Sequence, residues 1–134
     1  MVLEYNGIAV ESEAYLRRIL KTKASGTNVP NLIYLQDEKA WNLEVYLSRS
    51  TIEELTSKLE SEKLPLIAVV ETAALSYWKE STAHVLVVVG FDLQHVIVND
   101  PYFDNDEIKI PLVQFQQAWS AFQNLVVMIK RREA

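Results

Sequence analysis

The sequence has no cysteine among its 134 residues. That excludes disulfide bonds, thiolate metal sites and a cysteine nucleophile within this stretch of chain. Glycine is scarce, with three scattered residues, so no glycine-rich loop is available to cradle phosphates. No apolar run reaches the length of a membrane span, and the opening MVLEYNG lacks the basic and apolar regions of a signal peptide. These absences lead to the expectation of a cytoplasmic chain with no cofactor. Basic residues cluster at Lys130, Arg131 and Arg132, and the formal net charge is −5. Neutralising nucleic-acid phosphates needs clustered Lys and Arg, so a nucleic-acid partner is not expected.

What is present suits one folded domain spanning residues 1–134. Apolar residues make up 49% and charged residues 23%, close to the average for globular chains. A chain of this length buries roughly two thirds of the surface its unfolded form exposes. There is no internal repeat and no low-complexity segment.

In chain order, Met1 to Tyr5 is apolar and helix-compatible, with Asn6-Gly7 as a C-terminal stop. It reads either as the last turns of a helix that starts upstream or as a natural start. Ser12 can cap a helix with Tyr15, Leu16, Ile19 and Leu20 as its stripe. Thr27 or Asn28 can cap another, with Pro30 in its first turn, running through Leu35 towards Ala40. Trp41 to Leu47 alternates as a strand. Ser50 or Thr51 before Glu53 and Glu54 resembles a capping box, followed by a helical stripe of Ile52, Leu55 and Leu59. Leu64 to Val70 is a short buried strand, and Glu71 to Ala83 is a link without a clear period. Tyr77 and Trp78 in that link are candidates for an aromatic lip that binds peptide beside a cleft, or else a cover for one edge of the core. After the central hairpin come a turn-rich Pro101 to Asp106, a strand to Ile110, a helix from Pro111 and a closing strand from Leu125. This is a helical N-terminal half against an antiparallel sheet, an α+β fold.

The stretch from Thr82 to Pro101 carries the chemistry. Two β-branched runs, Val85 to Val89 and Val96 to Val98, flank a polar turn at Asp92, Leu93 and Gln94, the signature of a hairpin. With a three-residue loop, Phe91 pairs with His95 and Leu86 lies opposite Asp100. Alternation then puts His84, Leu86 and Asp100 on one face, His84 diagonal to Asp100 at about 7–8 Å between backbones. A two-residue loop would slip the register by one and send Asp100 to the other face. Both faces of this hairpin are apolar and call for cover on both sides.

An imidazole beside a carboxylate is a candidate general base, because the carboxylate fixes one ring nitrogen and leaves the other to take a proton. The plainer alternative is a strand-start histidine and ordinary strand-ending turn chemistry at Asn99-Asp100-Pro101. His95 falls at the turn, where it is expected to be solvated. Alternation puts the two histidines on opposite faces, so a shared zinc site has no support. Thr82 shares a face with His84, but its hydroxyl is a weak nucleophile without a well-placed base.

The ordered segments LIAVVE, HVLVVVGFD, VIVNDP, IPLVQFQQAW and LVVMIKR resemble the bacterial double-glycine leader peptidases and their stand-alone relatives, which are papain-like cysteine peptidases. The resemblance spans nearly the whole chain. MVLEYNGIAV is similar to the end of the family's nucleophile-bearing helix, and SGTNVPNLIYL to the segment opening its third helix. It implies a papain-like fold with an incomplete first helix, His84 as the catalytic histidine and Asp100 as its orienting acid. The family's nucleophile, a cysteine at the N-terminal end of that first helix, has no counterpart in this sequence. The implied function is a non-catalytic domain that binds a peptide or leader peptide. The alternative is a fragment of an active cysteine peptidase whose nucleophile lies upstream of Met1. An incomplete first helix would expose apolar surface near Met1 to Leu3, which favours a homo-oligomer.

Overall fold

The computed structural model describes residues 29–103 and 107–132. The expected helix end at Met1 to Tyr5 and the helix capped by Ser12 lie outside these residues. Two α-helices and six strands are described. They are β1 (Leu43–Arg49), α1 (Ile52–Glu62), β2 (Leu66–Glu71), β3 (Ala83–Phe91), β4 (His95–Asn99), β5 (Ile108–Pro111), α2 (Leu112–Ser120) and β6 (Leu125–Arg131). The strands are hydrogen-bonded in the order β1-β6-β2-β3-β4-β5. Residues 48–127 form one compact unit, and residues 1–47 with 128–134 form another.

In the smaller unit, Val29–Asp37 winds as a 3-10 helix where the sequence pattern predicts an α-helix. No acidic residue stands in its first turn and no basic residue in its last to complement a helix dipole. The Gln36 side-chain oxygen accepts from the Val45 amide at 2.8 Å, tying this helix to β1. Leu35, Leu43, Val45 and Ile129 are buried here.

The larger unit carries the candidate site. Thr51 caps α1, its hydroxyl accepting from the Glu54 amide at 3.1 Å. Lys63 ends the helix in the left-handed conformation, its amide reaching the Leu59 carbonyl. Leu55 and Leu59 are the buried stripe of α1, as the spacing predicts. β2 lies between β3 and β6 and pairs antiparallel with both. Leu66, Ala68 and Val70 on β2 face Val88, Leu86 and His84 on β3, and the five aliphatic residues among them are fully buried. Each large aliphatic side chain so buried contributes about 1.5–3 kcal/mol. α2 supplies Phe115 and Trp119, both at 0% exposure and stacked at 5.3 Å.

The hairpin of β3 and β4 reaches its register by a route the sequence pattern does not reveal. Phe91 pairs with Val96, not with His95. The Asp92 amide donates to the His95 carbonyl at 2.9 Å, so Leu93 and Gln94 alone form the tip. Left uncorrected, this tighter loop would put Asp100 on the wrong face. A register shift between Val88 and Gly90 absorbs one residue, after which Val88 pairs with Val98 and Val87 with Asn99. The two one-residue slips cancel, as a bulge allows, and continuing the register sets Leu86 opposite Asp100. The cover is also unequal. Leu86, Val88, Val96 and Val98 are at 0–1% exposure, whereas Val89 on the other face is at 36%.

Candidate functional site

His84 stands near the start of β3, two residues from Leu86 on the buried face. Asp100 follows the last residue of β4. There the chain turns through Pro101, with the Phe103 amide donating to the Asp100 carbonyl at 3.1 Å. His84 Nε2 lies 2.6 Å from Asp100 Oδ1. The Asp100 side chain is at 0% exposure and the His84 ring at 17%.

A buried carboxylate needs donors, and Asp100 has four. Oδ1 accepts from His84 Nε2 and from the Tyr102 amide at 3.0 Å. Oδ2 accepts from the Tyr77 hydroxyl and from Trp78 Nε1, each at 2.9 Å. Both oxygens therefore have their lone pairs engaged, which fixes the carboxylate in position and plane. Burial works to raise the Asp100 pKa, but the hydrogen bonds from His84, Trp78, the Tyr102 amide and Tyr77 outweigh it and hold the carboxyl below its ordinary value. Burial first, and then the bond to Asp100 and its charge, push the Tyr77 phenol well above its ordinary value. The hydroxyl thus stays a donor.

An ionised carboxylate only accepts, so the proton on this side of the ring belongs to His84 Nε2. In the neutral imidazole that leaves Nδ1 with its lone pair. Among the described residues, the His84 ring has no hydrogen-bond partner other than Asp100. The arrangement is that of an oriented base with one nitrogen held and one open. Thr82, on the same strand edge, turns its hydroxyl to the Ala83 carbonyl at 3.3 Å.

Tyr77 and Trp78 both contact Asp100. Their polar atoms face inwards to Asp100, while their rings build a wall. Trp78 lies at 4.7 Å from the His84 ring and 4.8 Å from Tyr102. Phe103 meets Tyr77 and Trp78 edge-on, each at 5.4 Å. A cavity of about 290 Å³ is lined by Tyr77, Trp78, Lys79, Glu80, Tyr102 and Phe103. That Tyr77 and Trp78 are carboxylate donors was missed from sequence. The available signal was the rule that a carboxylate on a buried face needs more donors than one histidine.

His95 is not simply solvated. Its Nδ1 lies 3.0 Å from Asp92 Oδ1, which also accepts from the Gln94 and His95 amides at 2.8 Å each. The Gln94 amide, and after it the His95 side chain, hold the Asp92 carboxyl below its ordinary value. No group of three or more His, Cys, Asp or Glu residues is placed to hold a metal ion among the described residues. No helix among them is long and apolar enough to cross a membrane.

The fold is that of the C39 peptidase domains. The peptidase domain of Streptococcus ComA, a bi-functional ABC transporter involved in a quorum-sensing pathway, is 21% identical with a TM-score of 0.70, covering 98% of this chain and 85% of that one. A putative C39-like peptidase from Bacillus anthracis is 17% identical with a TM-score of 0.72, covering 99% of this chain and 86% of that one. A double glycine motif protease from an AMS/PCAT transporter, solved in complex with the leader peptide, is 22% identical with a TM-score of 0.68 over 98% and 79% of the two chains. No curated protein matches the sequence. The sequence matches the Peptidase_C39 like family over residues 1–127, and the chain belongs to that family.

Proposed function

We propose that the 134-residue chain is a peptide-binding, non-hydrolytic member of its family. It keeps an oriented His84–Asp100 pair and lacks the nucleophile such a pair serves in the catalytic relatives. The observation that carries this reading is the fully engaged Asp100 carboxylate, which leaves His84 with one open nitrogen in a chain without cysteine. The thiolate mechanism needs a cysteine whose pKa is lowered at a helix N-terminus and a backbone donor for the oxyanion. Neither threonine nor water beside His84 replaces that combination. The complex of one similar protease with its leader peptide supports a double-glycine leader-type peptide as the ligand class, with the wall of Trp78, Tyr102 and Phe103 beside His84 as a contact surface.

A second reading is favoured by the same geometry, because a surface that only binds has no need of an oriented imidazole. In it, residues preceding Met1 contribute the cysteine, and His84 is a working base. Two experiments test them, the first on the 134-residue chain and the second on a chain extended upstream. The 134-residue chain is incubated with a synthetic Gly-Gly-containing leader-type peptide, and products are followed by mass spectrometry. The first reading expects intact peptide. Cleavage that His84→Ala abolishes would overturn it. An in-frame upstream segment carrying a cysteine, whose inclusion restores His84-dependent cleavage, would establish the second.

A further inference from the structure

We infer that Thr72 is a positioning residue, whose hydroxyl clasps the loop of residues 72–82 shut so that Tyr77 and Trp78 stay on Asp100. The proposal concerns how the pair is held, and it stands whether or not the chain binds a peptide. Thr72 is at 0% exposure, one of few buried polar residues among those described. Its hydroxyl donates to the Glu80 carbonyl at 2.6 Å and accepts from the Thr82 amide at 2.9 Å. Its own amide donates to the Thr82 carbonyl at 3.0 Å. One side chain therefore joins the start of the loop to two peptide groups at its end.

Between those ends the loop is wound by its own backbone. Leu75 donates to the Thr72 carbonyl, Trp78 donates to the Leu75 carbonyl, and Leu75 is buried. The arm that results places two consecutive side chains on a single carboxylate oxygen. An extended strand does not do this, because its neighbours point to opposite faces. The order of dependence runs from the Thr72 hydroxyl to the loop, to the Tyr77 and Trp78 donors, to Asp100 and finally to the His84 ring. Glu71 adds an outer tie, accepting from the Ala73 amide and the Ser81 hydroxyl, but that tie is exposed and solvated. The buried clasp is the one whose loss leaves polar groups without partners.

The test uses the native chain and two variants. If one clasp holds the arm, the Thr82 amide and the Trp78 indole proton open together and show the same hydrogen-exchange protection factor in the native protein. An indole protected more than about tenfold less than that amide overturns the proposal, because the arm then opens with the clasp closed. Thr72→Val keeps the shape and removes the hydroxyl, and Thr72→Ser restores it. Thr72→Val is expected to lower Trp78 indole protection by roughly tenfold, the effect of losing about one to two hydrogen bonds. It should also shift the ring ¹⁵N signals of His84 while those of His95 stay fixed, and Thr72→Ser should return both to native values. Unchanged Trp78 protection in a folded Thr72→Val protein overturns the proposal. If Thr72→Val does not fold, as judged by loss of the Trp119 indole signal, the native protection factors decide.

Discussion

Replacing Asp100 by asparagine is the substitution whose effect the geometry constrains most tightly. Asp100 accepts four hydrogen bonds on two oxygens, and asparagine offers one oxygen and two donors. If the oxygen stays on Tyr77 and Trp78, the amide nitrogen faces His84 Nε2 and the Tyr102 amide. The imidazole can answer by moving its proton to Nδ1, but the Tyr102 amide cannot accept and is stranded. If the amide is turned round, the Tyr77 hydroxyl can rotate to accept and the Trp78 indole is stranded instead. Either way one donor loses its partner at 0% carboxyl exposure, which costs about 1–3 kcal/mol. The remaining bonds also lose their charge assistance, which roughly halves their strength. The expected loss is about 2–4 kcal/mol, read as a lower urea midpoint at pH 7 with an unchanged slope. In the first arrangement, ¹⁵N NMR should show the proton of His84 on Nδ1. The pH dependence follows from the direction of the Asp100 shift. Its carboxyl sits below its ordinary value in the fold, so the stability it contributes is complete above the unfolded value of about 3.9 and is lost as pH falls through the folded value. The gap between native and Asp100→Asn proteins should therefore be widest near neutrality and narrow below about pH 4. A loss under about 0.5 kcal/mol at pH 7, the range of neutral surface substitutions, would refute the four-donor account.

Two further substitutions probe neighbouring claims. Tyr77→Phe removes one of the two donors to Oδ2 and leaves Trp78 in place, so urea unfolding should show a loss of about 1–2 kcal/mol, smaller than that of Asp100→Asn. Thr51→Ala removes the cap that receives the Glu54 amide and should cost about 1 kcal/mol by the same assay, with the ring signals of His84 unmoved.

The α+β architecture was legible because its signals are local. The cap at Thr51, the stripe of Leu55 and Leu59, and the apolar runs of β2, β3 and β4 each report on their own few residues. What was not legible depended on distant or compensating events. The hairpin pattern implies that Phe91 pairs with His95, yet the tip is tighter and a bulge beyond Val88 undoes the slip. The pairing of His84 with Asp100 was anticipated through a register that is wrong at the tip and right at the strand ends. No periodicity marks the link from Glu71 to Ala83, because turns rather than a repeating element aim Tyr77 and Trp78 at Asp100. The role of Thr72 is hidden for the same reason, since its two hydroxyl partners lie eight and ten residues away along the chain.

The central claim is that this chain presents an oriented His84 to a bound peptide without cutting it. Its most direct test is a titration of the ¹⁵N-histidine-labelled chain with a synthetic leader-type peptide containing Gly-Gly, followed by NMR and, on the same samples, by mass spectrometry. The account predicts saturable shifts at the His84 ring, none at His95 on the hairpin tip, and a peptide of unchanged mass. Ring signals of His84 that stay fixed at millimolar peptide would contradict the claim of binding, and a cleaved peptide would contradict the claim that the site is non-hydrolytic.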